Sequence, residues 1–121
     1  MSRPSADRQR ELLEQYKKLP KQMGVYCIRN IEDDRLFVAS SRDIRARFNR
    51  HRIELKTRAE RLSADLQKDW LKLGSEAFAF EVLEELAPLD DPDYDPTDDL
   101  TELEAIWLEK LQPFAPKGYN P

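Results

Sequence analysis

Two short runs rich in β-branched and aromatic residues, Gly24–Asn30 (GVYCIRN) and Leu36–Ala39 (LFVA), stand on either side of the acidic triplet Glu32-Asp33-Asp34. This pattern constrains the fold more than any other feature, because it predicts an antiparallel hairpin. A helix is expected next, over Arg42–Lys56, with Ser40 and Ser41 as its N-cap candidates. A leading helix is expected over Ser5–Lys18, ended by Leu19-Pro20. Leu62–Leu73 reads as a further helix stopped by Gly74. Phe78–Leu83 (FAFEVL) alternates like a third strand. The acidic loop Ala87–Pro96 holds Pro88, Pro92 and Pro96, which exclude regular structure there. Thr97 is placed to cap a final helix, with Asp98 and Asp99 in its first turn. The tail Pro113–Pro121 reads as coil. At 121 residues the chain has room for one modest core. Residues 1–20 are expected as a helical extension and 21–121 as a single α/β domain.

Charge narrows the function classes. The net charge of −4 argues against nucleic acid, but the distribution argues for it. From Arg35 to Arg61 there are nine basic residues against three acids; from Glu76 to Lys110 there are thirteen acids against one lysine. Such a split gives an acidic protein one face attractive to a polyanion. The alternative is a solvated basic helix without a ligand. Arg42, Arg45, Arg50, Arg52 and Lys56 are the candidate nucleic-acid contacts. Cys27 is the single cysteine, which excludes an internal disulfide and a cysteine metal cage. Met1–Arg10 lacks the apolar core of a secretory signal, and no apolar run approaches a membrane span, so a cytoplasmic location is expected.

Two helix faces carry a chemistry-bearing side chain where plain packing would place an apolar one. In the final helix, Leu100, Leu103, Trp107, Leu108 and Leu111 form an apolar stripe, and Glu104 sits in the middle of it. A carboxylate there is costly unless it pairs with an arginine, reaches solvent at the stripe's end, or binds a metal. In the first long helix, His51 lies on the face of Ile44, Phe48 and Leu55, with Arg47 one turn before it. Read alone, His51 is a satisfied histidine at the core edge and Arg47 one solvated arginine among many. Tyr26 in its strand reads as packing, and Cys27 as a small buried hydrophobe.

In combination these positions resemble the GIY-YIG nuclease family. The resemblance runs from Gly24-Val25-Tyr26 through Phe37-Val38-Ala39-Ser40-Ser41 to Arg47 and His51, then to Phe80–Glu84, Glu104 before Trp107, and Gly118-Tyr119-Asn120. It covers Met23–Asn120 and implies a three-stranded antiparallel sheet flanked by helices. It also implies a single divalent metal, Mg²⁺ or Mn²⁺, held by Glu104. Tyr26 is then a candidate general base for water, and Arg47 the arginine that steadies the phosphate. Asn120 is the asparagine near the family's C-terminal boundary, and His51 occupies a position that is histidine in many members. Two departures stand out. Phe37 keeps the ring of the family's second tyrosine but not its hydroxyl, and Ala39 replaces a glycine.

The expected function is metal-dependent hydrolysis of DNA phosphodiester bonds. The first alternative is a catalytically impaired member that binds nucleic acid and acts with a partner. A protein-interaction module built on the acidic loop Asp90–Asp99 is a third reading. The chain offers no separate reader domain, so specificity is expected to be low, structural, or supplied by a protein partner.

Overall fold

The structure, a computed structural model, describes Arg8, Arg10 and residues 21–121. The expected leading helix over Ser5–Lys18 falls outside those residues, apart from Arg8 and Arg10. The hairpin forms as expected: β1 (Met23–Asn30) pairs antiparallel with β2 (Leu36–Ser41). Asp34 closes the turn with φ 61°, a backbone conformation that aspartate tolerates. α1 (Ile44–Lys56) and α2 (Ala64–Leu73) follow, then a single 3₁₀ turn, Ser75–Ala77. β3 (Phe78–Leu86) pairs antiparallel with the other side of β1, and α3 (Thr97–Leu111) ends the regular structure. The sheet order is therefore β2-β1-β3, with β1 central.

Alternation along the strands sorts the core into two layers. Tyr26 and Ile28 of β1 and Phe37 of β2 face α1 and α2, where they pack with Ile44, Leu55, Leu66, Trp70 and Phe78. Val25, Cys27 and Val38 point the other way, against Leu103, Trp107, Leu108 and Leu111 of α3. The apolar stripe read from the final helix thus meets the sheet as expected. Trp107 pins α3 to β3 through its indole N–H, which donates to Glu84 Oε1 at 2.9 Å. No helix among the described residues is long and apolar enough to cross a membrane.

Two capping expectations are corrected. β2 runs on through Ser40 and Ser41, so neither serine caps α1. Asp43 does so, accepting from the Ala46 amide at 3.2 Å, while Ser41 Oγ accepts from the Asp43 amide at 3.0 Å. A carboxylate two residues farther on outcompetes the hydroxyls, because an ionised acceptor makes the stronger bond to a helix N–H. Arg42 consequently lies before α1 and not on it. Thr97 is likewise the first residue of α3 and not its cap, and its amide donates to Asp95 Oδ1 at 3.0 Å. The third strand is also longer than FAFEVL, reaching Leu86.

The tail is far more ordered than a coil reading allows. Tyr119 and Asn120 are buried. The Asn120 carboxamide clamps the free edge of β2: its Oδ1 accepts from the Val38 amide at 2.9 Å and its Nδ2 donates to the Val38 carbonyl at 2.8 Å. The Tyr119 amide donates to the Leu36 carbonyl at 2.9 Å, extending the same edge cover. Each buried partner left unsatisfied costs about 1–3 kcal/mol. Asn120→Ala is therefore expected to destabilise the fold by about 2–4 kcal/mol, as a lower midpoint in urea unfolding with little change in slope.

Candidate active site

The site begins with the first tripeptide. Gly24 has φ 151°, and a Cβ there would stand 2.0 Å from the Glu84 carbonyl oxygen. Only glycine lets β1 lie this close to β3 at that point. Immediately beyond, the register shifts: Val25 pairs with Glu84 and Tyr26 with Val82, leaving Leu83 as the extra residue of a bulge. Bulges turn a side chain away from its ordinary direction, and this one flanks Tyr26.

Tyr26 is fully buried among the α1-side residues, yet its hydroxyl is not idle. It lies 2.7 Å from His51 Nε2, and His51 Nδ1 lies 2.8 Å from Glu60 Oε2. His51 and the Glu60 side chain are themselves buried. The satisfied-histidine reading of His51 thus holds, and the two groups that satisfy it are a tyrosine and a carboxylate. Phe37 presents its ring to His51 with centroids 5.6 Å apart in an edge contact, and Phe48 packs edge-on to Tyr26 at 5.4 Å. Burial, aided by the charges of Glu60 and Glu104, pushes the Tyr26 phenol up to about 12 against the pull of Arg47 beside it. Tyr26 therefore rests as the neutral phenol.

The structure gathers Tyr26, Arg47, His51 and Phe37 on the α1 side of the sheet. Glu104 comes from α3, close enough for its charge to act on Tyr26. It is half-buried, and among the described residues its carboxylate accepts one hydrogen bond, a long one from Ser40 Oγ at 3.3 Å. Ser40, expected only as a cap, is thus the residue against Glu104. Asn120 does not join this group: both ends of its amide are engaged on Val38.

Glu60 is the residue the sequence reading missed. It appeared only as one of three acids within the basic segment, since a loop residue nine positions after His51 has no helical relation to it. Its amide donates to Gln67 Oε1 at 3.1 Å, and its Oε1 accepts from the Leu62 amide at 3.2 Å. Burial raises the Glu60 carboxyl, but the bonds to His51 and Leu62 and the nearby Arg47 outweigh it and leave the group below its usual range.

The basic residues do not form one face. Successive helix positions turn by about 100°, so Arg45 and Arg50 point about 140° apart. Arg50 lies on the Arg47 side, where Arg47, Arg50, Glu54, Ala59, Arg61 and Leu62 line a cleft of about 470 Å³. Arg52 lies on the other side, its guanidinium 4.2 Å above the Phe80 ring, and with Lys56 it lines a second cleft over Trp70 and Phe78. Arg42 is held by Asp95 at 2.7 Å and by Thr97 Oγ1. Arg50 pairs with Glu54 at 2.8 Å across one helical turn.

Phe37→Tyr tests the chief departure in sequence. The ring is 3% exposed and packed on His51, so an added hydroxyl enters a site whose proton-handling groups are already paired. The expected change in any cleavage rate is less than about tenfold, small against the 10²–10⁴ typical of acid–base groups. A large gain in the variant would show that the missing hydroxyl limits the parent.

Residues 22–120 match the GIY-YIG catalytic domain family. No curated protein sequence matches the chain. Among solved structures, an alanine mutant of the catalytic domain of the intron endonuclease I-TevI is similar at 28% identity and TM-score 0.68, covering 82% of this chain and 92% of that one. A second structure, titled the catalytic domain of the homing endonuclease I-TevI, is also 28% identical, with TM-score 0.67, covering 81% of this chain and 96% of that one. The expected three-stranded antiparallel sheet with flanking helices is the fold of these domains. With the family match spanning nearly all the described residues, the chain belongs to the GIY-YIG family of nuclease domains.

Proposed function

We propose that this domain is a metal-dependent endonuclease that hydrolyses DNA phosphodiester bonds. The observation that carries this reading is the Tyr26 hydroxyl, held 2.7 Å from His51 Nε2 with Arg47 and Glu104 both near enough to perturb it. Hydrolysis needs an activated water, a stabilised phosphate charge and a neutralised leaving oxygen. Tyr26 can receive the proton of an attacking water if its own proton is passed on to His51. Arg47 can pair with a non-bridging phosphate oxygen in a fork that lysine cannot copy.

Glu104 suits a hard divalent cation. Its carboxylate accepts from Ser40 Oγ and has no cationic partner among the described residues, so it would be the residue to hold Mg²⁺ or Mn²⁺. Such an ion, when bound, supplies Lewis-acid stabilisation of the phosphate and the leaving oxygen. Arg50 and Arg61, in the same cleft as Arg47, supply positive charge for the flanking phosphates. Both similar structures are catalytic domains of an endonuclease, which supports cleavage within a nucleic-acid strand.

A second reading, nucleic-acid binding without cleavage, draws on Phe37, Ala39 and the high pKa of Tyr26. Incubation of supercoiled plasmid, single-stranded DNA and RNA with Mg²⁺ or Mn²⁺ separates the two. The endonuclease reading expects DNA cleavage that disappears in Glu104→Gln. Salt-sensitive binding with no cleavage of any substrate would replace it with the second reading.

A further inference from the structure

The Tyr26–His51–Glu60 chain is fully buried and unusually complete. His51 is inaccessible, and each ring nitrogen has a single partner, Tyr26 Oη at 2.7 Å and Glu60 Oε2 at 2.8 Å. An ionised carboxylate can only accept hydrogen bonds. Glu60 accepts one from the Leu62 amide on its other oxygen, which suits the ionised form. With Glu60 ionised, His51 must carry its proton on Nδ1, and Nε2 is left with a lone pair aimed at the tyrosine hydroxyl. The reverse arrangement requires a neutral Glu60 beside Arg47, and Arg47 favours the charged form.

We propose that Glu60 is a positioning residue that holds His51 in the Nδ1–H form and so makes Nε2 the acceptor of the Tyr26 proton. This rests on the hydrolytic reading above. The step balances as follows. The attacking water forms the new P–O bond and loses a proton to the Tyr26 oxygen, while the Tyr26 proton moves to His51 Nε2. The P–O bond to the sugar oxygen breaks, and that oxygen takes a proton from solvent. The extra proton on His51 returns to solvent through Tyr26. Glu60 stays ionised throughout and stabilises the transient imidazolium.

The charged groups around His51 agree with this role. Arg47 and Glu54 come from α1, Glu60 from the loop after it, and Tyr26 from β1; the facing group from β2 is the uncharged Phe37 ring. Glu104 of α3 acts on Tyr26. His51, Glu54 and Glu60 also offer donor atoms within 4.8 Å of one another, a spacing that would suit a metal. A cation there is disfavoured because Glu54 is already paired with Arg50 at 2.8 Å and Arg47, Arg50 and Arg61 line the adjoining cleft. The carboxylates in this corner serve the histidine and the arginines.

The chain contains one histidine, so His51 is read without ambiguity by long-range ¹H–¹⁵N NMR. The expected result is a protonated Nδ1 and an unprotonated Nε2 at neutral pH. In Glu60→Gln the Nε2–H tautomer should gain population at the expense of Nδ1–H, since the glutamine amide can donate as well as accept. Maximal turnover should fall about 10²-fold with KM little changed. Glu60→Asp should recover part of the loss. A near-UV circular dichroism spectrum matching the parent's secures the folded state of both variants.

An Nε2–H tautomer in the parent overturns the proposal. So does a Glu60→Gln variant with an unchanged His51 tautomer and full turnover. A parent that cleaves nothing, yet shows the Nδ1–H form and its loss in Glu60→Gln, supports the hydrogen-bond assignment and sinks the hydrolytic reading instead.

Discussion

Glu104→Gln is expected to abolish metal-dependent cleavage while leaving the fold intact. Glutamine keeps the size of the side chain and can still accept from Ser40 Oγ, so the 3.3 Å contact at the end of β2 has a neutral replacement. What is removed is the negative charge that would hold a hard dication. Loss of a metal's Lewis-acid contribution removes several kcal/mol of transition-state stabilisation, which is a rate loss of about 10³-fold or more. Stability should not fall, because Glu104 makes no ion pair among the described residues and a half-buried carboxylate without a partner adds nothing to the folded state. The check is paired: plasmid cleavage in Mg²⁺ and thermal unfolding of the same preparation. Equal cleavage by parent and variant would remove Glu104 from the site.

Tyr26→Phe carries the second large effect, on both rate and stability. Losing the hydroxyl removes the one group among the described residues that is hydrogen-bonded to His51 Nε2, and with it the proposed acceptor of the water proton. The expected loss in turnover is about 10²–10⁴-fold. The variant also leaves a buried imidazole nitrogen unsatisfied, which costs about 1–3 kcal/mol. Alkaline titration by absorbance reports all the tyrosines, so Tyr26 is read as the difference between parent and variant. Burial pushes its phenol up to about 12, above the unperturbed value of about 10. Its neutral form therefore contributes stability that is fully present below about pH 10 and is lost as pH rises through about 12. Tyr26→Phe should reduce the late proton release by one tyrosine and leave that of Tyr119, whose phenol burial also raises. A variant with full turnover and an undiminished late release would place the reacting proton elsewhere.

The hairpin, the three described helices and the apolar stripe of α3 were legible because each rests on local periodicity. Gly24, Tyr26, Arg47, His51 and Glu104 read as a set only through their order along the chain, since Glu104 alone breaks an apolar stripe and packing or solvation explains the others. Caps were misassigned at Ser40, Ser41 and Thr97, because the competition between a hydroxyl and a carboxylate two residues away is decided by three-dimensional reach. Glu60 was hidden for a stronger reason. Its partner is on α1 and its own backbone is on a loop fixed by Gln67, a relation between side chains that no spacing rule encodes. The basic segment read as one attractive face, whereas the helical turn sends Arg45 and Arg50 to different sides and leaves the cleft to Arg47, Arg50 and Arg61.

The central claim is that Tyr26, Arg47 and Glu104 form one metal-dependent hydrolytic site. Its most direct test is the time course of supercoiled plasmid with the purified protein in Mg²⁺, with excess chelator added midway and Mg²⁺ then restored. The account predicts nicked and linear DNA that accumulate, stop on chelation and resume on restoration of the metal. Cleavage that continues unchanged in the chelator, or no cleavage in Mg²⁺ or Mn²⁺ by a folded protein that binds the plasmid, would contradict it.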